Sequence, residues 1–187
     1  LYLRRYSPAP YYCGLLNARP GYWGPAVLVG DGRRHGVRVL PVDVNLSRAK
    51  CRVEGSDAVR LGLEYVHGLG EAALERIDAA RAEAPFRSLA DLFSRARLSR
   101  AQAEALIRAG ALDCFREQRR QLLWELGRLR PREGELDLEI PEGRATFPEL
   151  TPQERVAADY ELLGLPAHGH AMSLLRETLE AQGVTWA

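Results

Sequence analysis

The feature that most constrains this 187-residue chain is a pair of glycines, Gly68 and Gly70, that bracket one leucine directly before an amphipathic segment. Glycine tolerates positive φ and lets another backbone approach closely, so Leu69 is free to fix the turn in a core. Apolar residues after the turn recur every three to four positions, at Ala73, Leu74, Ile77 and Ala80. This periodicity predicts a helix that begins just after Gly70.

The start of that helix is expected to present unpaired backbone amides. Such amides, reinforced by the helix dipole, attract an anion without reading a base. The pattern therefore predicts a helix-hairpin-helix that clamps a phosphate of nucleic acid, and a plain tight turn with no ligand is the alternative. The candidate DNA contacts in this hairpin are Gly68, Leu69, Gly70, Glu71, Ala72 and Arg76.

A second hairpin is predicted about thirty residues further on. Residues 88–96 form a short amphipathic helix, and Ser99 and Gln102 have the spacing of a capping box that starts the next helix. The link between these helices is a hairpin whose glycines have been replaced, so we expect it to have lost its phosphate amides and to survive as a structural twin of the first. Its candidate DNA contacts are Arg97, Ser99 and Arg100, and a solvated basic face is the alternative.

The net charge of +1 hides a strong segregation of charge along the sequence. Residues 1–52 carry nine basic and two acidic side chains, and residues 94–132 carry ten and four. Residues 133–161 hold nine acids against two arginines. Basic blocks on either side of the first hairpin favour a polyanionic partner, and the acidic stretch would either be kept away from that partner or shield it.

Composition indicates a soluble chain from a reducing, cytoplasmic compartment. No apolar run approaches the roughly 20 residues of a membrane span, and the first residues do not form a signal peptide. Cys13, Cys51 and Cys114 are odd in number and widely separated, which excludes a disulfide scaffold. His168 and His170 have no cysteine or acidic companion at metal spacing, so no metal site is predicted. Because the chain does not begin with Met, we expect a segment of something longer.

The predicted fold is mainly α-helical with a few short strands. Helices are expected over Pro8–Asn17, Pro25–His35, Arg116–Leu129, Thr151–Leu163 and Ala171–Gln182, and strands over Val37–Leu40 and Val59–Leu63. Relative to alanine, Gly30 and Gly32 should each destabilise the helix predicted over Pro25–His35 by about 0.5–1 kcal/mol. We therefore expect this helix to depend on packing against the rest of the fold. Four parts follow: residues 1–56, the tandem hairpins at 57–129, an acidic proline-containing linker at 130–150, and a helical segment at 151–187 that leads to an absent domain.

In this order, the motifs resemble the fingers and tandem helix-hairpin-helix region of a bacterial C-family DNA polymerase (DNA polymerase III alpha subunit family). The matching positions are residues 2–6, Pro8, 15–17, 25–26, 28–29, Asp31, 33–37, 41–45, 60–63, 68–70, 85–86 and 88–89. Similarity to the error-prone type rests on Cys51, residues 119–120 with Trp124, residues 159–160 and 164–165, and His170. The chain departs from the family pattern at Pro10, residues 20–23, Gly32 and Ala171.

The resemblance implies that residues 1–56 are the C-terminal part of the fingers. It also implies template-directed DNA synthesis with Mg²⁺ held by palm carboxylates, in damage-induced synthesis across lesions. No Asp-x-Asp occurs in the chain, so it should hold no catalytic residue, metal or cofactor and be inactive alone. Implied partners are primer–template duplex, the sliding clamp and accessory mutagenesis proteins.

Arg33, Arg34 and His35 are candidates for contacts to nucleotide or template phosphates, with a solvated helix face as the alternative. Three other interpretations of the whole chain stay open. They are the same region of a replicative alpha subunit, a stand-alone non-catalytic DNA-binding module, and a scaffold whose hairpin is only a turn.

Overall fold

Helices dominate the residues that the structure, a computed structural model, describes: 2–129, 147–169 and 171–182. The helices among these residues are α1 (Tyr2–Tyr6), α2 (Pro8–Ala18), α3 (Pro25–Arg34), α4 (Glu71–Glu83), α5 (Leu89–Arg95), α6 (Arg100–Arg108), α7 (Arg119–Arg128), α8 (Pro152–Leu163) and α9 (Arg176–Ala181). Short 3₁₀ turns occur at Leu63–Tyr65, Asp113–Phe115 and Ala171–Leu174. The predicted mainly helical class is confirmed.

Three short strands form one small sheet between α3 and α4. Its strands are β1 (Arg38–Leu40), β2 (Arg52–Glu54) and β3 (Ala58–Arg60), in the order β1-β3-β2. The central strand pairs in parallel with β1 and antiparallel with β2, so that Val39 and Val53 both lie beside Val59. Of these strands, β2 has no counterpart in the sequence-based prediction.

The strand predicted over Val59–Leu63 is wrong in its second half, because the chain leaves the sheet after Arg60. The Leu63 N–H donates to the Arg48 carbonyl at 2.8 Å instead of extending the sheet. Gly62 makes this crossing possible, since a Cβ there would lie 2.5 Å from the Lys50 carbonyl carbon. The two backbones can therefore cross only at a residue without a side chain.

Local capping rules set most helix starts as predicted. Proline occupies the first turn of α2, α3 and α8, where no backbone N–H is needed. Ser99 with Gln102 and Thr151 with Glu154 form reciprocal capping boxes. These four side chains satisfy amides that the helices leave unpaired.

Two predicted helices differ from those observed. The helix expected from Arg116 begins at Arg119, because Arg116 has a left-handed φ of 61° and ends the preceding 3₁₀ turn. The helix expected over Ala171–Gln182 is divided into a 3₁₀ turn and α9. Residues 130–146 of the predicted acidic linker, His170 and residues 183–187 lie outside the described residues.

The predicted dependence of α3 on packing has a specific cause. The ring of Tyr12 from α2 lies against Gly32, where a Cβ would be 3.3 Å from the ring carbon Cγ. The Tyr12 hydroxyl donates to Asp31 Oδ2 at 2.5 Å and lies 3.1 Å from His35 Nδ1. Packing and polar contacts from one tyrosine therefore support a helix that its glycines weaken.

A single hydrophobic core runs through the described parts of the chain. It extends from Ala9 on α2 to Ala167 after α8, and its largest fully buried side chains include Tyr12, Leu61, Ile77, Leu106, Leu122 and Leu163. Leu122 and Leu126 of α7 are part of this core. None of the described helices combines the length and the hydropathy that a membrane-spanning segment requires.

The loop after α8 joins distant segments through polar contacts. Buried Asp159 accepts hydrogen bonds from the backbone N–H of His168 at 2.7 Å and from its Nδ1 at 2.8 Å. Arg119 donates from Nη2 to His168 Nε2 at 3.2 Å, and an arginine can only donate. The His168 proton therefore lies on Nδ1. On the other side of the loop, Arg33 donates to the carbonyls of Pro166 at 2.9 Å and Ala167 at 3.1 Å.

Candidate nucleic-acid interface

The first hairpin has the backbone that its glycines predicted. Gly68 adopts a left-handed φ of 90°, Leu69 is buried, and Gly70 is the extended N-cap of α4 with φ −77° and ψ 165°. The helix before the turn is reduced to the 3₁₀ turn Leu63–Tyr65. The Leu69 N–H donates to the Val66 carbonyl at 3.2 Å, which closes the turn.

Three amides at the start of α4 are without a hydrogen-bond acceptor among the described residues. They belong to Gly70, Glu71 and Ala72, whereas the Ala73 N–H donates to the Gly70 carbonyl at 2.9 Å. All three residues are exposed. Since α4 is 13 residues long, its dipole adds positive potential at the same end. This set of amides can bind an anion that approaches from solvent.

The second hairpin repeats the backbone path of the first with different side chains. Arg97 takes the left-handed position with φ 48°, Leu98 is buried, and Ser99 is the N-cap of α6 with φ −69° and ψ 159°. The positions correspond one for one to Gly68, Leu69 and Gly70. The twin hairpin inferred from residues 97–99 is therefore present as a structural element.

The amides of the second hairpin are used differently. The Ser99 N–H donates to Gln102 Oε1 at 3.0 Å, and the Gln102 N–H donates to Ser99 Oγ at 3.2 Å. Within the described residues, the amides of Arg100 and Ala101 keep no acceptor, so the expected loss of phosphate amides affects only the Ser99 amide of this hairpin. Ala101 is not among the contacts predicted from the sequence. The spacing of the capping box was the sequence signal that could have identified its amide as a contact.

Two of the three arginines predicted at the hairpins are engaged within the fold. Arg76 Nε donates to the Ala96 carbonyl at 3.0 Å, which ties α4 to the start of the second turn. Arg100 Nη2 donates to the carbonyls of Leu126 at 2.9 Å and Gly127 at 3.1 Å, at the C-terminal end of α7. Arg97 is exposed and forms no hydrogen bond or ion pair with the described residues. Of these side chains, Arg97 is the most available for a phosphate.

The three candidates on α3 and its cap have different surroundings. The guanidinium of Arg33 is occupied by the loop after α8, and burial lowers its pKa. Arg34 is exposed and pairs with Asp31 at 3.2 Å. His35 Nδ1 lies 2.9 Å from the Asp31 carbonyl oxygen and 3.1 Å from the Tyr12 hydroxyl. Of the three, Arg34 keeps most of its side chain accessible to an anion.

No metal centre is built from the described residues, which contain no cluster of three or more His, Cys, Asp or Glu side chains arranged to hold an ion. His168 instead belongs to the polar network with Asp159 and Arg119. The three cysteines are free thiols, and burial raises the pKa of Cys51 to about 11. The hairpins are therefore the best-defined candidate site, and their ligand would be recognised through backbone amides.

Comparison with known sequences agrees with this geometry. Residues 36–122 match the family model described as the helix-hairpin-helix motif. The error-prone DNA polymerase of Burkholderia pseudomallei is 41% identical over 199 residues, which cover all of this chain and 18% of that protein. Those of Anaeromyxobacter dehalogenans and Dechloromonas aromatica are each 40% identical, over 192 and 182 residues, covering 95% of this chain and 17% and 18% of theirs.

The chain therefore spans less than a fifth of the length of these relatives. The similarity extends beyond the hairpins to α1–α3 and to the segment after α7. It confirms the family predicted from the order of the motifs. Over its full length, this chain is homologous to one segment of the bacterial error-prone DNA polymerases, and its central part is a helix-hairpin-helix region.

Proposed function

We propose that this chain holds duplex DNA, without regard to sequence, as part of an error-prone DNA polymerase. The observation that carries the proposal is the set of unbonded amides at Gly70, Glu71 and Ala72 after a left-handed glycine. A phosphate oxygen can accept from these amides on any sequence, because no base edge is involved. The exposed Arg97 at the second hairpin adds a charge that a phosphate can meet.

A wider activity is part of the same proposal, and the printed name of the relatives, error-prone DNA polymerase, supports it. The parent protein would carry out template-directed, damage-induced synthesis across lesions in the cytoplasm, together with the sliding clamp and accessory mutagenesis proteins. Its Mg²⁺ would be held by carboxylates elsewhere in the polymerase, because the described residues provide no metal cluster. This chain would then bind the primer–template and would provide no catalytic group for bond formation.

The hairpin contact can be tested with a glycine substitution that the fold tolerates. A Cβ at Gly70 would meet no atom within 4 Å, and its φ of −77° suits any residue. Side chains at an N-cap lie over the first amides of the helix, so Gly70→Val would shield them. We expect duplex affinity to fall about tenfold, because a charge-assisted hydrogen bond contributes about 1.5–3 kcal/mol.

Gly24→Val is the matched control for this substitution. Gly24 is likewise an extended N-cap glycine, with φ −63° and ψ 153°, and a Cβ there would also meet no atom within 4 Å. Fluorescence anisotropy with a labelled duplex should show wild-type affinity for Gly24→Val and weakened binding for Gly70→Val. Equal affinities for the two variants would refute the hairpin clamp.

The charge contact can be tested by the salt dependence of duplex binding. Arg97 and Arg116 are both exposed arginines at left-handed φ, 48° and 61°, where asparagine is well tolerated. Each phosphate contact adds about 0.9 to the slope of log affinity against log salt. Arg97→Asn should lower the slope by about that amount and Arg116→Asn should leave it unchanged. An unchanged slope in Arg97→Asn would remove this arginine from the interface.

A further inference from the structure

A cleft formed by residues 4–34, which precede the hairpins in sequence, is lined by aromatic and basic side chains. It has a volume of about 310 Å³, at the lower end of the range for small-molecule sites. Helices α1, α2 and α3 and the segment before α3 surround it. Its apolar side is formed by Tyr11, Leu15, Trp23, Val27 and Leu28, and its polar side by Arg4, Asp31 and Arg34.

Trp23 is the largest apolar side chain of this lining, and it remains 54% exposed. Its neighbour Tyr22 is 82% exposed, and the two rings meet edge to face with centroids 5.0 Å apart. The same fold buries Tyr12 and Tyr65 almost completely. An indole held beside another ring but left in solvent is well suited to stack against a planar ligand.

The polar side of the cleft has more positive than negative charge. Arg34 Nη2 lies 3.2 Å from Asp31 Oδ1, and Arg4 Nη1 lies 3.9 Å from Asp31 Oδ2. Asp31 also accepts a hydrogen bond from the Tyr12 hydroxyl. Two guanidinium groups share this one carboxylate, and the Arg34 side chain is 71% exposed. Several of their N–H donors therefore stay open to an anion.

We propose that this cleft binds an unpaired nucleotide of single-stranded DNA, with the base against Trp23 and Tyr11 and the backbone phosphate at Arg34 and Arg4. A base in duplex is stacked between its neighbours and cannot lie on the indole. Stacking is tolerant of sequence because every base has a π-face. This site is separate from the hairpins and recognises a different form of DNA.

The test compares single-stranded and duplex binding by the full chain. A labelled oligothymidine of about 12 nucleotides suits the site sizes of stacking modules. Trp23→Ala should weaken its binding about tenfold, within the roughly 5- to 150-fold range of one lost base stack. Arg34→Gln should weaken binding and lower the salt slope. Neither change should alter duplex affinity, which serves as the check that each variant is folded.

Matched controls come from residues outside the cleft. Tyr160→Ala removes an exposed aromatic side chain on α8, and Arg5→Gln removes an exposed arginine on α1 that lies next to Arg4 in sequence. Both should bind oligothymidine as the wild type does. Thymidine monophosphate should compete poorly, since it has a single phosphate for the two guanidinium groups, whereas a nucleotide within a strand lies between two phosphates.

Three results would overturn the proposal. They are no oligothymidine binding by the wild type, equal losses in Trp23→Ala and Tyr160→Ala, and displacement of the oligonucleotide by an equal concentration of thymidine monophosphate, which would indicate a free-nucleotide site. The outcome is distinct from that of the hairpin test. Gly70→Val should weaken duplex binding and leave oligothymidine binding intact, so either proposal can fail alone.

Discussion

Substitution of Arg119 by methionine should destabilise this protein more than any other single arginine change on α7. Its side chain is 5% exposed and donates to both carboxylate oxygens of Asp113, at 2.9 and 2.7 Å. Nη1 also donates to the Arg108 carbonyl at 3.0 Å, and Nη2 to His168 Nε2 at 3.2 Å. Methionine keeps the apolar stem but removes all of these donors.

The size of the effect follows from what is left behind. Loss of one partner of a buried ion pair costs about 3–5 kcal/mol when the remaining charge stays buried. The Asp113 side chain is 44% exposed, so water can solvate it after the change, while the Arg108 carbonyl and the His168 ring lose a donor. We expect a loss of about 3 kcal/mol in the free energy of unfolding, at the lower end of that range. For a chain of this size the midpoint should fall by about 6–12 °C.

Differential scanning calorimetry or urea unfolding can measure this loss. Arg120→Met is the control, because Arg120 is the next residue on α7 and pairs with Glu154 at 2.7 Å on the surface, where ion pairs contribute little. Arg119→Lys should fall between the two, since it keeps the charge but not the fork of donors. If Arg119→Met and Arg120→Met had the same midpoint, the buried network would not have the stabilising role derived from its geometry.

Two further predictions concern packing and titration. Gly62→Ala should lower the free energy of unfolding, measured in urea, by about 2–3 kcal/mol or more, because its Cβ would overlap the Lys50 carbonyl carbon. Gly14→Ala on α2, where a Cβ would meet nothing within 4 Å, should raise the free energy of unfolding by about 0.5–1 kcal/mol. Equal midpoints for the two variants would refute the close crossing. Burial, followed by the hydrogen bond to Asp31, raises the pKa of Tyr12 to about 12. The folded pKa lies above the unfolded value, so this stabilisation is complete below about pH 10 and is lost as pH rises towards 12. Burial also raises the pKa of Tyr65 to about 12, so absorbance titration should find two late-ionising tyrosines, one of which is lost in Tyr12→Phe. An unchanged titration in that variant would contradict the assignment.

Local sequence signals were sufficient to predict where helices start and how they are capped. Pro25 and Pro152 mark helix starts, and the spacing of Ser99 and Gln102 specifies a capping box, because each effect depends on residues within one helical turn. Strand β2 gave no such signal. This strand has three residues and one exposed valine, which is too short for an alternation of polar and apolar residues to be recognised. Its pairing depends on β3, which follows a glycine-containing turn.

The use of each arginine could not be predicted from the sequence around it. Arg33 was a candidate for nucleotide contact, yet its donors meet the carbonyls of residues more than 130 positions away. Arg76 and Arg100 likewise bind backbone carbonyls of other segments. A basic residue in a basic block therefore indicates a polyanionic partner only when no carbonyl within the fold accepts its hydrogen bonds. The unpaired carbonyls at a buried helix end attract the same guanidinium group.

The loop that follows α8 has a consequence for how this protein unfolds. It accepts from Arg33 near the beginning of the chain and from Arg119 in the middle, while the Leu162 carbonyl accepts from the His67 N–H at 2.9 Å beside the first hairpin. Segments far apart in sequence thus lose their partners in one event when this loop detaches. Heat should therefore unfold the described parts cooperatively, in one transition, and a chain truncated to remove α8 should be less stable than the full chain.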